Sequence, residues 1–132
     1  MRYLLDTNTC IYIINRSPKQ VYERLKKLSL GEVGISVITF CELQYGVAKS
    51  AKPLENQLAL TEFLAPLEVL DFTSACAASY GEIRADLNKK GCPIGNNDLL
   101  IASHAISEGL VLIGHNLKEF ARVEGLQCEN WI

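Results

Sequence analysis

Three carboxylates in this chain each interrupt a stretch of apolar residues. Asp6 ends the short run Tyr3-Leu4-Leu5, Glu42 sits in Val37-Ile-Thr-Phe-Cys-Glu42-Leu, and Asp98 sits in Pro93-Ile-Gly-Asn-Asn-Asp98-Leu-Leu-Ile-Ala. Around Asp98, the residues Ile101, Ala102 and Ala105 share its helical face through i+3, i+4 and i+7 spacing. That face is expected to look inward. An acid there is costly unless something positive pairs with it. No Lys or Arg is spaced to do so locally, so a bound metal ion is the simplest partner. Asp6 has a second reading, since Asp is a common helix cap and a helix is expected to follow it.

The elements that must carry these acids alternate. A buried strand at Tyr3–Leu5 leads through Asp6 into a helix that reaches about Asn15. Ser17-Pro18 reads as a helix start, Ser as cap and Pro at the first position, with an apolar face through Val21, Leu25 and Leu28. After Gly31, the β-branched run Val33–Val37 is a second strand, and Thr39 to about Ser50 a helix carrying Glu42. Pro53 opens a helix bearing Leu54, Leu58, Phe63 and Leu64, which Pro66 ends. Leu67–Leu70 is a third strand. Thr73 starts a long helix to Lys90, closed by Gly91. A helix from about Asn97 to Glu108 stops at Gly109, and Leu110–Ile113 is a fourth strand, followed by a short helix around Leu117–Val123. Strands separated by helices predict an α/β domain built on a parallel, doubly wound sheet of four to five strands flanked by helices. In such sheets ligands bind outside the carboxyl ends of the strands, where Asp6 falls. No linker, repeat or low-complexity segment divides residues 1–132, so one domain is expected.

Composition narrows the class. The 132 residues are 48% hydrophobic and 21% charged with a net charge of −2, which is ordinary for a globular domain and by itself argues against a strongly nucleic-acid-binding surface, although metal ions that neutralise the acids locally would still allow a polyanion to bind. The basic residues cluster in two places, Arg16 to Lys27 and Lys89-Lys90, which a solvated helix face explains equally well. No apolar run is long enough to span a bilayer and no secretory signal is visible, so no membrane role and a cytoplasmic location are expected. The five cysteines, Cys10, Cys41, Cys76, Cys92 and Cys128, are widely spaced and lack the close pairs of common zinc sites. They read as reduced, mostly buried thiols.

Leu5-Asp-Thr-Asn8, Glu42 after the second strand, and Pro93-Ile-Gly-Asn-Asn-Asp98 with Ile101-Ala102 resemble the PIN domain in order and interval. Ile113-Gly-His-Asn-Leu-Lys-Glu-Phe120 fits the family's fourth strand and exit, and Gly81-Glu-Ile-Arg-Ala-Asp-Leu87 is similar to the bacterial VapC toxin branch. The resemblance covers essentially the whole chain. It implies a metal-dependent endoribonuclease, the toxin of a type II toxin–antitoxin pair, with Asp6, Glu42 and Asp98 binding Mg2+ or Mn2+. Such ions lower the pKa of bound water and clamp phosphate oxygens, and hard oxygen ligands suit them better than zinc. It further implies a VapB-like antitoxin, a homodimer within a larger complex, and RNA as substrate, with one VapC group suggesting initiator tRNA cut in the anticodon loop.

This chain departs from the family where another acid often follows the fourth strand. Gly114-His115-Asn116 stands there, leaving Asn116 or Glu119 as a fourth ligand. Thr7, Asn8 and Ser36 fit hydrogen bonds to metal waters or phosphate, and equally caps and turns. His115 is read as a loop side chain before a proton donor, His104 as a packed or surface histidine, Arg84 as a surface ion-pair partner before an RNA contact, and Trp131 as a packing residue. Two other classes share these features: a PIN-like DNA nuclease or phosphohydrolase, and a non-catalytic binding module on the same fold. The first typically carries more acids and additional DNA-binding elements. Loss of the acid triad would mark the second.

Overall fold

The computed structural model describes residues 1–29 and 31–132. In chain order these form β1 (Tyr3–Leu5), α1 (Thr7–Asn15), α2 (Lys19–Lys26), β2 (Val33–Ser36), α3 (Val37–Ala48), α4 (Pro53–Leu64), β3 (Glu68–Leu70), α5 (Ser74–Lys89), α6 (Asn96–Glu108), β4 (Val111–Ile113), α7 (Leu117–Phe120) and β5 (Cys128–Glu129). The five strands make one sheet in the order β3-β2-β1-β4-β5, and every pairing is parallel.

Strand alternation divides the core into two layers. Tyr3 and Leu5 of β1, Val33 and Ile35 of β2, and Ile113 of β4 face one side. There they meet Cys10, Ile13, Val21, Leu43 and Leu60 from α1 to α4. Leu4 and Leu112 face the other side, against Leu87 of α5, Leu99, Ile101, Ala102 and Ala105 of α6, and Phe120. Both faces of the sheet are thus covered, which is why its strands read as unbroken apolar runs. The expected inward face of α6 is real: Ile101, Ala102 and Ala105 are fully buried.

Three boundaries differ from expectation for identifiable reasons. Ser17 does not cap α2. The left-handed Arg16 (φ 53°) closes α1, and the Arg16 and Ser17 N–H groups fold back onto the carbonyls of Ile13 and Tyr12. Pro18 then takes the cap position without a side-chain bond. Val37 belongs to a helix rather than to β2, because the Ser36 hydroxyl accepts from the Ile38 N–H at 3.1 Å and starts α3 early. The last helix stops at Phe120 rather than Val123.

The tail adds the fifth strand. Trp131 is only 5% exposed and meets Tyr3 edge-on at 5.9 Å, with the Arg24 guanidinium 5.6 Å from its ring. The cysteines are all free, but only Cys10 and Cys76 are buried; Cys41 is exposed, correcting the expectation of mostly buried thiols. Among the described residues no helix is long and apolar enough to cross a membrane.

Trp131 fills core volume while its indole N–H finds no partner. Trp131→Ala is expected to lower the unfolding free energy by about 3–5 kcal/mol. Trp131→Phe should cost much less, since it keeps a ring and removes the unpaired donor. Urea denaturation of both variants checks this, and equal losses would contradict it.

Candidate active site

Asp6 leaves the end of β1 and turns the chain into α1. Its Oδ1 accepts from the Thr9 N–H at 2.8 Å, and its Oδ2 accepts from the His115 N–H at 3.3 Å. The Asp6 N–H itself donates to the Ile113 carbonyl at 2.9 Å, and the Thr9 hydroxyl donates to the same carbonyl at 3.2 Å. The two readings of Asp6 therefore coincide: it caps α1 with one oxygen and keeps a carboxylate at the carboxyl edge of the sheet. It is 3% exposed. Burial pushes its pKa up, and the hydrogen bonds from Thr9 and His115 pull it back in part.

Glu42 arrives on α3, whose early start at Ser36 places it beside the first turn of α1. The Thr7 hydroxyl donates to its Oε1 at 2.5 Å, and the Asn97 side-chain amide donates to its Oε2 at 3.1 Å. Asp98 stands in the first turn of α6. Its carboxyl is pushed up to about 7, first by burial, then by a hydrogen bond and charge from Glu119, then by the charges of Asp6 and Glu42. Asp6, Glu42 and Glu119 are thus all close enough to Asp98 to act on its charge. Glu119 stands within hydrogen-bonding reach of Asp98 and is the nearest like charge acting on it. Asn116 donates its side-chain N–H to Glu119 Oε2 at 2.7 Å, so Glu119 reaches the cluster and Asn116 steadies it.

An excess of negative charge with no cation among its hydrogen-bond partners is the electrostatic condition for binding a divalent ion, and the donors are all hard oxygens. Among the described residues, the trio of ligand atoms that closes to within 4.8 Å lies elsewhere in the molecule. Oxygen donors of this kind suit a hard divalent ion that keeps part of its water shell.

The other candidate residues divide. Thr7 belongs to the site through Glu42, and Asn8 is exposed on the same first turn. Ser36 does not belong to it. Its side chain is fully buried and engaged with the Ile38 N–H and with His104 Nδ1 at 2.8 Å. His115 supplies its backbone N–H to Asp6, while its ring packs edge-on against Tyr12 at 5.6 Å. Arg84 donates to the Tyr80 hydroxyl at 2.8 Å rather than to an acid, and that hydroxyl donates in turn to Asn96 at 3.2 Å.

Two residues escaped the sequence reading. Asn97 holds Glu42, and the Asn96-Asn97 pair before Asp98 was its only trace. Gly114 is the other. A Cβ there would lie 2.8 Å from the Phe120 ring and 3.1 Å from Asp6 Oδ2, so only glycine lets β4 end beside the acid.

A parallel α/β sheet with carboxylates gathered at its carboxyl edge is the arrangement of a known family. The PIN domain matches residues 3–126, and this chain belongs to the PIN-domain family. Within it the relatives are VapC proteins. Ribonuclease VapC2 of Rickettsia felis is 51% identical over 132 residues, covering 99% of this chain and 98% of that protein. The tRNA(fMet)-specific endonuclease VapC of Salmonella typhimurium is 44% identical over 131 residues, covering 99% of this chain and 98% of that one. Among solved structures, a chain of the Rickettsia felis VapBC2 complex bound to a promoter DNA fragment matches with a TM-score of 0.94 at 49% identity, covering 100% of both chains.

Because the Asp98 pKa is raised, the metal-free folded chain holds that proton more tightly than the unfolded chain does. This component of stability is fully present below the ordinary value of 3.8 and is lost as pH rises to about 7. Asp98→Asn should flatten that fall, and added Mg2+ should oppose it. Thermal melts of metal-free protein across this window check the prediction, and an unchanged slope in the variant would remove Asp98 as the source. Gly114→Ala should displace Asp6 or Phe120 and depress metal binding more than it lowers Tm, as isothermal titration and melting would reveal together.

Proposed function

We infer that this chain is a VapC-type endoribonuclease, the toxin of a type II toxin–antitoxin pair, with Asp6, Glu42 and Asp98 as its metal-binding core and Glu119 as the fourth acid. This reading is supported by the way Asp6 at the end of β1, Glu42 on α3, Asp98 on α6 and Glu119 on α7 act on one another at the carboxyl edge of the sheet. The ion is Mg2+ or Mn2+. When bound, it supplies a lowered pKa for a coordinated water and charge neutralisation at the phosphate. The chain's own residues do the positioning. The Thr9 and His115 N–H groups fix both oxygens of Asp6, Thr7 and Asn97 fix both oxygens of Glu42, and Asn116 fixes Glu119.

The substrate is initiator tRNA, in keeping with the Salmonella relative, and cleavage in its anticodon loop would block translation. An RNA substrate and five free thiols fit a cytoplasmic location. The basic residues at and before α2 mostly have partners within the chain. Arg16 and Lys26 lie over the Tyr22 ring, Lys19 pairs with Glu23, and Arg24 pairs with Glu129.

The partner is a VapB-like antitoxin, in keeping with the Rickettsia complex. Leu54 and Leu58 on α4 are 90% and 62% exposed, and Tyr45 on α3 is 66% exposed. An apolar groove of about 460 Å³ runs between α1, α2 and α4, lined by Ile14, Tyr22, Leu25 and Phe63. Exposed apolar surface of this kind marks protein interfaces, here with the antitoxin and with a second copy in a two-fold dimer. The antitoxin's tail inhibits by placing an Arg or Lys among the acids, where charge-assisted bonds replace the ion.

Asp6→Asn, Glu42→Gln and Asp98→Asn should each remove most cleavage of initiator tRNA while the fold persists, and EDTA should abolish it. Full turnover in Asp98→Asn, or cleavage that survives exhaustive chelation, would defeat the reading. Preference for DNA over RNA in the same assay would favour the DNA-nuclease class. Glu119→Gln should raise the Mg2+ needed for half-maximal activity well beyond the effect of Asn116→Ala; the reverse order would assign the fourth ligand to Asn116.

A further inference from the structure

Away from the acid cluster, one set of side chains has a chemistry the nuclease does not use. Cys76 Sγ, a ring nitrogen of His104 and a carboxylate oxygen of Glu108 all lie within 4.8 Å of one another. His104 and Glu108 are i and i+4 on α6 and so share a face. Cys76 is in the first turn of α5, which packs along α6.

Two observations say that these groups lack a partner. His104 is fully buried. Its Nδ1 is engaged with Ser36 Oγ at 2.8 Å, and its Nε2 has no hydrogen-bond partner. Buried ring nitrogens are ordinarily satisfied, so an orphan there needs a reason. Glu108 is the last residue of α6, at the negative end of the helix dipole, and no ion pair offsets it among the described residues. A cation would answer both.

We propose that Cys76, His104 and Glu108 form a second metal site, separate from the acid cluster, that binds one Zn2+ ion and staples α5 to α6. The donors are sulfur, nitrogen and one oxygen, the set zinc prefers and Mg2+ does not. Nδ1 is committed to Ser36, so the ligand is Nε2. Its lone pair is free when Nδ1–H donates to the Ser36 hydroxyl, the support that ligating histidines generally have. Burial favours the neutral ring, the form that binds a metal. The Thr73 hydroxyl donates to Cys76 Sγ at 3.5 Å and would support the thiolate in the same way. Tetrahedral zinc needs ligand atoms about 3.5 Å apart. The exposed Glu108 side chain can close the remaining distance. On binding, the Cys76 thiol gives its proton to solvent, and water takes the fourth position on the Glu108 side.

The site also reaches the nuclease. His104 holds Ser36, Ser36 caps α3, and α3 carries Glu42, while α6 carries Asp98 in its first turn. A zinc ion fixing His104 would steady both helices that deliver acids.

The test uses the full chain, stripped of metal, in a Cys41→Ser background that removes the exposed thiol. Titration with Co2+ should produce a thiolate-to-cobalt charge-transfer band and tetrahedral visible absorption, saturating at one ion and displaced by Zn2+. The band should vanish in Cys76→Ser and persist in Asp98→Asn. Glu108→Gln, a solvent-exposed change that leaves the fold untouched, should weaken Zn2+ binding by at least the roughly 10- to 100-fold lost when an outer-shell partner is removed. Zinc should raise Tm in the parent and not in Glu108→Gln. The proposal is overturned by absence of the band, by a band surviving in Cys76→Ser, or by Zn2+ binding that ignores Glu108→Gln but disappears in Asp98→Asn. If Cys76→Ser does not fold, the Glu108→Gln titration decides alone.

Discussion

Like charges held close together and partly out of water govern this structure. Four carboxylates from distant parts of the chain meet at one sheet edge, and burial pushes the pKa of Asp6 and of Asp98 up. Around them the fold supplies donors. Backbone N–H groups at a helix start serve Asp6, a hydroxyl and an amide serve Glu42, and another amide serves Glu119. Among the described residues no such donor serves Asp98, and burial with the neighbouring charges pushes its pKa up to about 7. The arrangement tolerates repulsion and holds the oxygens in place on the folded chain, as the proposed metal site requires. It is a form of preorganisation, in which the cost of gathering charge is met during folding and not at the moment of binding.

The sheet makes that gathering possible. β1 is the central strand, paired on one side with β2 and on the other with β4. Every strand runs the same way, so their carboxyl ends share an edge, and the helices that follow them start there. Asp6 follows β1 directly, and α3 starts where β2 ends. Gly114 and the His115 N–H follow β4, and their closeness to Asp6 depends on the absent side chain at Gly114.

Much of this was readable from residue order. The apolar runs at Tyr3–Leu5 and Val33–Ile35 and the inward face of α6 behave as their patterns require, because burial on both sheet faces leaves little freedom. The three acids could be picked out because each breaks an apolar stretch. What escaped depended on contacts between distant residues. Glu119 against Asn116 could not be decided by spacing, since the choice rests on how α7 turns back toward Asp98. Asn97 and Gly114 are ordinary loop residues until the partner 55 positions away, or the ring of Phe120, is in place. Ser36 fitted a site contact and a helix cap equally well, and its bonds to Ile38 and His104 decide for the cap. β5 was too short and too mixed in composition to stand out from a tail.

The order in which the chain is made carries its own consequence. Asp6 leaves the ribosome well before the His115 N–H that steadies it and before Glu119. β1 cannot take its central place until β4 exists to pair with it. A nascent chain, or one cut short by premature termination before α7, has the early acids without the frame that assembles them. Such a chain lacks the assembled acids until β4 and α7 have been made, and the long-range contacts that slow folding delay the site with it.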